Sequence, residues 1–261
     1  MKILVTGKNG YVGSSILSKL DSLFDFTYPN FYVGVGREDF DLTNREETSK
    51  FLAKYTHFDV IIHTAICGGS RLQEDGNDVL ANNLKMFYNL MANKNKFSQL
   101  ISLGSGAELN NPTEPYGLSK AIIWDAIQND PKLNNIRIFG VFDENEWDTR
   151  FIKTCLKKYK NKETINIHQN KLFDFIHMDD LVTLINFIIL NPNIKVIDGC
   201  YKETYSLKEI ADYINGLNNH YCKVKINSKK MGKPYIGKFK NYNLELKGLK
   251  QGINKVYGKI N

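Results

Sequence analysis

Tyr116 and Lys120 lie four residues apart in the stretch Tyr116-Gly117-Leu118-Ser119-Lys120, with Ser105 shortly before them. On a helix, such a spacing stacks two side chains on one face, one turn apart. An ammonium beside a phenol favours the ionised phenol and lowers its pKa toward neutrality. Tyr116 is then a proton donor or acceptor at physiological pH, and Ser105 can hold a carbonyl or hydroxyl in front of it. A Tyr-x-x-x-Lys spacing occurs by chance in many helices, so its weight comes from the other end of the chain.

That end reads as a cofactor fold. Lys2 to Thr6 is a short apolar strand, and Gly7-Lys8-Asn9-Gly10-Tyr11-Val12-Gly13 follows at once. Ser14 to Leu23 then reads as a helix with apolar Ile16, Leu17, Leu20 and Leu23. Strand, glycine turn, helix is the context that a dinucleotide fingerprint requires. The glycines permit a tight turn and bring a pyrophosphate close to the helix N-terminus.

A second strand, Phe31 to Val35, ends in Gly36-Arg37-Glu38-Asp39. An acidic residue here would hold the ribose of NAD, whereas an Arg would accept the 2′-phosphate of NADP. Arg37 and Lys8 favour NADP(H), with Glu38 and Asp39 turned away; the two carboxylates argue for NAD(H). Asp41-Leu42 lead into a helix from about Asn44 to Tyr55, with Thr43 as its expected cap. Asp59 to His63 is a buried strand, and the small residues at Thr64-Ala65-Ile66 would let a cofactor lie against its end. His63 reads as a packed core histidine. Helices over Asp78–Asn93 and from Tyr116 to about Asn129 alternate with strands over Gln99–Leu103 and Asn135–Phe139. Ser105 falls just past a strand's C-terminal end, where an open parallel sheet builds its site. The alternation argues a doubly wound, Rossmann-like parallel sheet of the α/β class.

Composition bounds the rest. The chain of 261 residues is 42% hydrophobic and 24% charged, as a soluble globular protein would be. Cys67, Cys155, Cys200 and Cys222 show no metal spacing and read as reduced thiols. Met1-Lys2 runs directly into Ile3-Leu4-Val5 without a signal-peptide layout, so a cytoplasmic location is expected. The apolar run Leu184–Leu190, interrupted by Asn186, is too short to cross a bilayer, and no membrane partner is expected. The net charge is +7, yet Tyr221 to Asn261 holds 11 Lys and one Glu. Nucleic acid is disfavoured because the aromatics are scattered and no binding motif is present. A solvated surface near an anionic small-molecule site is the expectation.

Taken together, Thr6-Gly7-x-x-Gly10-x-x-Gly13, Ser105, Tyr116-x-x-x-Lys120 and Phe175-Ile176-His177-Met178-Asp179-Asp180 resemble the extended short-chain dehydrogenase/reductases. These are NAD(P)-dependent epimerases, dehydratases and reductases of nucleotide sugars. The resemblance extends to late-helix strings at Tyr205–Ala211 and Leu249–Ile253. Arg37–Leu42, Ala65–Gly69 and Leu103–Ser105 are similar to the GDP-fucose synthase branch. The resemblance implies a cofactor domain over residues 1–142 and a smaller substrate lobe over 143–261, partly interleaved with the sheet. It implies that Tyr116 is the general acid/base, that Lys120 holds the nicotinamide ribose, and that Ser105 orients the reacting oxygen. Gly7 to Gly13, Arg37, Asp41, Leu42, Thr64, Ala65, Ile66, Phe139 and Val141 would line the cofactor, NADP(H) by preference. His177, Asp179 and Asp180 would be structural.

The chain also departs from that pattern. Only ten residues separate Ser105 from Tyr116, fewer than the usual substrate-covering loop. Phe173 stands where many relatives have an Arg that touches substrate phosphate; Lys171, Arg150 and Lys153 are the candidate replacements. The epimerising pair of the GDP-fucose synthases, a Cys two residues after the Ser and a later His, is replaced by Ala107 and by a segment, Asp143–Arg150, without His. Only Asp143, Glu144, Glu146 and Asp148 could serve as a base there, and Cys67 belongs to a different strand end. The expected activity is therefore reduction of a 4-keto sugar nucleotide, with epimerase or dehydratase as the alternative. The expected partners are a nucleotide sugar and a second copy of the chain in a homodimer. The intact Ser105, Tyr116 and Lys120 argue against a non-catalytic sensor or scaffold.

Overall fold

A computed structural model describes residues 1–20, 31–70, 74–76 and 78–260. In chain order the strands are β1 (Lys2–Thr6), β2 (Phe31–Val35), β3 (Phe58–His63), β4 (Phe97–Ser105), β5 (Leu133–Ile138), β6 (Val141–Phe142), β7 (Ile165–Gln169), β8 (Ile176–His177), β9 (Val196–Gly199) and β10 (Val224–Ser228). The α-helices are α1 (Tyr11–Leu17), α2 (Arg45–Ala53), α3 (Asp78–Met91), α4 (Ala107–Asn110), α5 (Pro115–Gln128), α6 (Phe151–Lys160), α7 (Met178–Leu190), α8 (Leu207–Asn215) and α9 (Leu249–Lys259). The chain divides into two units: Met1–Arg137 with Val182–Ile197, and Ile138–Leu181 with Asp198–Asn261.

The first unit is built on a six-stranded sheet in the order β2-β1-β3-β4-β5-β9. β1 pairs in parallel with β2 and β3, and β3 pairs in parallel with β4. Strands covered on both faces must be apolar throughout, and Ile3, Leu4, Ile61, Ile62, Leu100 and Ile101 are fully buried. The expected Rossmann-like sheet is present. The strand expected at Asn135–Phe139 is β5, displaced toward its N-terminus, and Ser105 is the last residue of β4 rather than beyond it. The first helix starts earlier than expected, at Tyr11, and the expected end at Leu23 lies outside the described residues. Asn44, not Thr43, caps α2: its side chain accepts from the Glu46 and Glu47 amides, while Thr43 donates to Asp41. A buried amide ladder closes the sheet's far side. Gln99 donates to Asn134, which in turn donates to the carbonyls of Pro192 and Ile194.

In the second unit, parallel β7–β10 and β6–β8 ribbons accompany α6, α8 and α9 around a core that includes Phe142, Leu156, Tyr159, Phe173 and Ile253. A capping box at Ser206 and Glu209 starts α8. The Asp180 carboxylate accepts from the amides of Lys247 and Gly248 just before α9, and Asp179 gathers Lys247 and Lys255. The Tyr201 hydroxyl donates to Asp180 and accepts from the His177 amide. His177, Asp179 and Asp180 thus hold this unit together, in keeping with the structural role expected of them. Among the described residues, no helix is long and apolar enough to cross a membrane.

The short link from Ser105 to Tyr116 is filled by α4, a single turn the sequence reading did not foresee. Asn111 closes it by donating to the Ala107 carbonyl, and Pro115 then starts α5 at its first position. α4 packs so tightly on α5 that a Cβ on Gly117 would lie 1.9 Å from the Asn111 carbonyl oxygen. Gly117→Ala must therefore push α4 off α5. Overpacking of this kind costs about 1–3 kcal/mol, and the shift should carry Ser105 with it. Thermal unfolding and turnover of the variant are the readouts. Wild-type values for both would show that the α4–α5 contact does not position Ser105.

Candidate active site

Lys120 is a buried charge of the first unit. It is 4% exposed, and its ammonium donates to the Leu103 carbonyl at 2.6 Å. Burial lowers its pKa to about 8, with Glu108 opposing the shift. The same ammonium lies 5.8 Å from the centre of the Tyr116 ring. Residues 116 and 120 are thus brought together on α5. Ser105 closes β4 two residues after the carbonyl that holds Lys120; it is 7% exposed, with its hydroxyl accepting from the Ala107 amide at 3.1 Å. A desolvated ammonium, a phenol and a hydroxyl gathered at the C-terminal end of a parallel strand are the parts a carbonyl reduction needs: a proton source, its electrostatic tuning, and an anchor for the reacting oxygen.

Asn83 on α3 is a site residue that the sequence reading missed. Its side chain accepts from the Cys67 amide and donates to the Cys67 carbonyl, at 2.7 and 3.0 Å. It also donates to Ser119, whose hydroxyl donates to the Tyr116 carbonyl. Asn83 thereby ties the loop after β3 to the turn of α5 that carries the phenol. On the other side, the Gly69 backbone lies against the Tyr116 ring: a Cβ there would sit 3.0 Å from it. Glu108 was missed too. It is 6% exposed, receives Arg137 and Asn135, and burial raises its pKa against the pull of Arg137. A buried Asn and a paired Glu inside helices carry no spacing signal, so only the fold reveals them. His63 is a core histidine as read: it is 3% exposed, bonded to the Thr6 hydroxyl, and held down to about 3 by burial.

The cofactor candidates converge on the ends of β1, β2 and β3. Gly7 has φ +76°, and a Cβ on it would lie 2.8 Å from the Ala65 backbone. A Cβ on Gly13 would lie 2.3 Å from the Gly7 carbonyl oxygen. The turn therefore closes flush against Thr64 and Ala65. The Thr64 hydroxyl donates to the Thr6 carbonyl at 2.5 Å, and the Ala65 amide donates to the Thr6 hydroxyl. Gly10 caps α1 without a side chain, and no acidic residue stands in the first turn of Tyr11, Val12 and Gly13. The first amides of a helix lack intrahelical partners, and such an end suits an anion. Asp41 and Leu42 follow β2, with the Leu42 carbonyl held by Asn89. Ile66 is 42% exposed after β3. Phe139 and Val141 belong to the second unit, where the Phe139 ring meets Tyr235 edge-on at 5.5 Å.

Around Arg37 the structure departs from expectation. Glu38 and Asp39 do not turn away: they turn onto Lys8, whose ammonium lies 3.0 and 2.6 Å from their oxygens. Asn9 donates to Glu38 as well. Lys8 is thus a paired cation, while Arg37 is exposed and has no acidic partner among the described residues. In the second unit, Lys153 is 8% exposed and donates to the carbonyls of Glu144 and Glu146, so it does not replace the missing phosphate-binding Arg. Lys171 sits over the Phe173 and Tyr235 rings, at 5.4 and 5.7 Å from their centres.

Residues 3–201 match the model of the NAD dependent epimerase/dehydratase family. UDP-glucuronic acid decarboxylase 1 of Xenopus tropicalis is 24% identical over 233 residues, which are 83% of this chain and 52% of that protein. The chain thus spans about half the length of the curated relatives it matches. GDP-mannoheptose C4 reductase from Campylobacter jejuni, solved with NADP bound, superposes with a TM-score of 0.76 at 18% identity, covering 98% of this chain and 97% of that one. A GDP-L-fucose synthetase from Naegleria fowleri gives 0.74 at 14% identity, covering 98% and 91%. UDP-glucose 4-epimerase from Thermotoga maritima gives 0.76 at 14%, covering 99% and 98%. These structures share the fold, and the family match, over well more than half of the sequence, makes the chain a member of the NAD dependent epimerase/dehydratase family, within the extended short-chain dehydrogenase/reductases.

Proposed function

We propose that this chain is an NADP(H)-dependent reductase of a 4-keto sugar carried on a nucleotide, working through Ser105, Tyr116 and Lys120. The observation that carries this reading is the buried Lys120 ammonium held by Leu103 beside the Tyr116 ring. The glycine turn, the start of α1, Arg37 and Thr64–Ile66 would hold the cofactor. The nicotinamide supplies the hydride when bound. Tyr116 delivers its phenolic proton to the carbonyl oxygen as that oxygen gains charge, and the proton is replaced from solvent. Ser105 donates to the same oxygen and fixes its distance from the phenol. Lys120 stays cationic below about pH 8, favours the phenolate left behind, and keeps two N–H donors for a ribose. The reductase and fucose-synthetase structures of the same fold support this chemistry; the epimerase among them supports the alternative.

The carboxylates after β6 favour reduction without epimerisation, because each is engaged within the second unit. Glu144 pairs with Lys259 and Asp148 with Lys157. Glu146, pushed up to about 8 by burial, accepts from the Lys153 amide in the first turn of α6. Asp143 accepts from the Asn145 amide. With Ala107 at the position of the family's Cys, no acid/base pair stands ready among the described residues to move protons at neighbouring ring carbons.

Tyr116→Phe should lower turnover of a 4-keto sugar nucleotide by roughly 10²–10⁴-fold while cofactor affinity stays near wild type. A variant with wild-type kcat would remove Tyr116 from the mechanism. For the cofactor, Arg37→Ala should weaken NADPH strongly and NADH little, since only NADPH brings a phosphate to the guanidinium. Equal wild-type affinities in a titration would refute the preference. Turnover in deuterated water should place no deuterium at ring carbons 3 and 5. Enzyme-dependent label there, read by mass spectrometry, would make the protein an epimerase.

A further inference from the structure

The seven lysines between Lys223 and Lys240, with no acidic residue among them, match the whole protein's net charge of +7. β10 explains how several of them reach one surface. Along this strand Val224, Ile226 and Ser228 turn inward, while Lys223, Lys225, Asn227 and Lys229 are exposed. In the parallel register Val224 lies beside Ile165, Lys225 beside Asn166, and Ile226 beside Ile167. Asn166 and His168 therefore share the outer face, which carries no carboxylate. The nearest acidic residue in sequence, Glu163, stands before β7 and receives Asn161.

The turn after β10 continues that face and is pinned. The Gly232 amide donates to the Asn170 carbonyl at 2.7 Å, and Gln169 donates to the Lys230 carbonyl at 3.1 Å. These bonds present Lys229, Lys230 and Lys233 with Met231 between them, its side chain 59% exposed. Tyr221, 73% exposed, stands at the other end. Among the described residues, no acidic side chain pairs with Lys223, Lys225, Lys229, Lys230 or Lys233. Lysines on an edge strand deter strand addition, which accounts for Lys223 and Lys225. It does not account for a pinned turn that surrounds an exposed thioether with three more cations.

We propose that the outer face of β7–β10 and its pinned turn form a docking surface for an anionic phospholipid bilayer. The lysines meet the headgroup charge, and Met231 enters the interface. A cationic face with an apolar tip suits a lipid surface. Nucleic acid would call for a groove lined by rings that stack on successive bases, whereas the pinned turn Lys229–Lys233 presents a thioether and no ring. The surface uses none of the residues assigned to reduction, so it stands or falls independently of that reading.

The test is co-sedimentation of the full chain with vesicles of phosphatidylcholine, with and without phosphatidylserine. Binding is expected only with phosphatidylserine and should weaken on raising salt from low ionic strength to ~0.15 M. Each lysine at an anionic surface is worth about fivefold in binding. The K229Q/K230Q/K233Q variant should therefore lose on the order of a hundredfold. Met231→Ser should weaken binding with every charge kept, which pure counter-ion attraction would not do. Equal binding to both vesicle types, no binding to phosphatidylserine at low salt, or a triple variant that binds as wild type would each overturn the proposal. So would binding of a single-stranded RNA oligomer without binding of vesicles.

Discussion

Burying an ammonium costs free energy unless its protons find acceptors, and Lys120 sits where the cost is met by one carbonyl. The Leu103 carbonyl accepts from it, two residues before the end of β4, and the price is a pKa brought down to about 8. The arrangement needs β4 to end where it does, α5 to begin at Pro115, and the two to be joined without slack. α4 removes the slack, and Asn83 holds the loop of Cys67 against the same turn of α5. A short link and a buried cation are thus two sides of one constraint: a longer, looser loop would let water reach the ammonium.

The buried network behind β4 follows from the same placement. Asn135 on β5 fills the space beside Gly104, where a Cβ would lie 2.4 Å from its side-chain oxygen. It reaches Glu108, which is neutralised in turn by Arg137. Arg137 also stacks over Trp124 at 4.9 Å. Removing one member of such a buried pair strands the other charge. The cluster is therefore a support for the strand end that bears Ser105 rather than a second reactive centre.

How much of this was legible follows from the range of each signal. The β1 strand, the glycine turn and α1 are contiguous, so the sequence announces them, as it announces Tyr116 and Lys120 by their shared helical face. Apolar runs announce the strands, because a doubly covered sheet leaves no polar face to alternate with. Hidden from the sequence were contacts made at long separation by residue types that are usually exposed. Asn83 to Cys67, Glu108 to Arg137 and Gln99 to Asn134 depend on which elements become neighbours. The cap of α2 was misplaced by one residue, because Thr43 and Asn44 both suit such a role and only the turn at Asp41 decides between them.

The ion cluster at the end of β2 shows how a local reading can be right in its residues and wrong in their pairing. Lys8, Arg37, Glu38 and Asp39 carry two positive and two negative charges, so no net field draws in a 2′-phosphate. Lys8 is held by both carboxylates at the surface, where exposed ion pairs contribute little and salt screens them. Discrimination between cofactors then rests on geometry: which of the four groups stands uncommitted where the ribose ends. On the proposed reading Arg37 is that group, with a planar fork that would fit a phosphate and no acidic partner among the described residues. With both carboxylates occupied by Lys8, neither would be left for the ribose hydroxyls that an NAD-selective acid would bind. The pairing that cancels the field would also remove the competitor, so that on the proposed reading Lys8 would favour the phosphorylated cofactor without touching it.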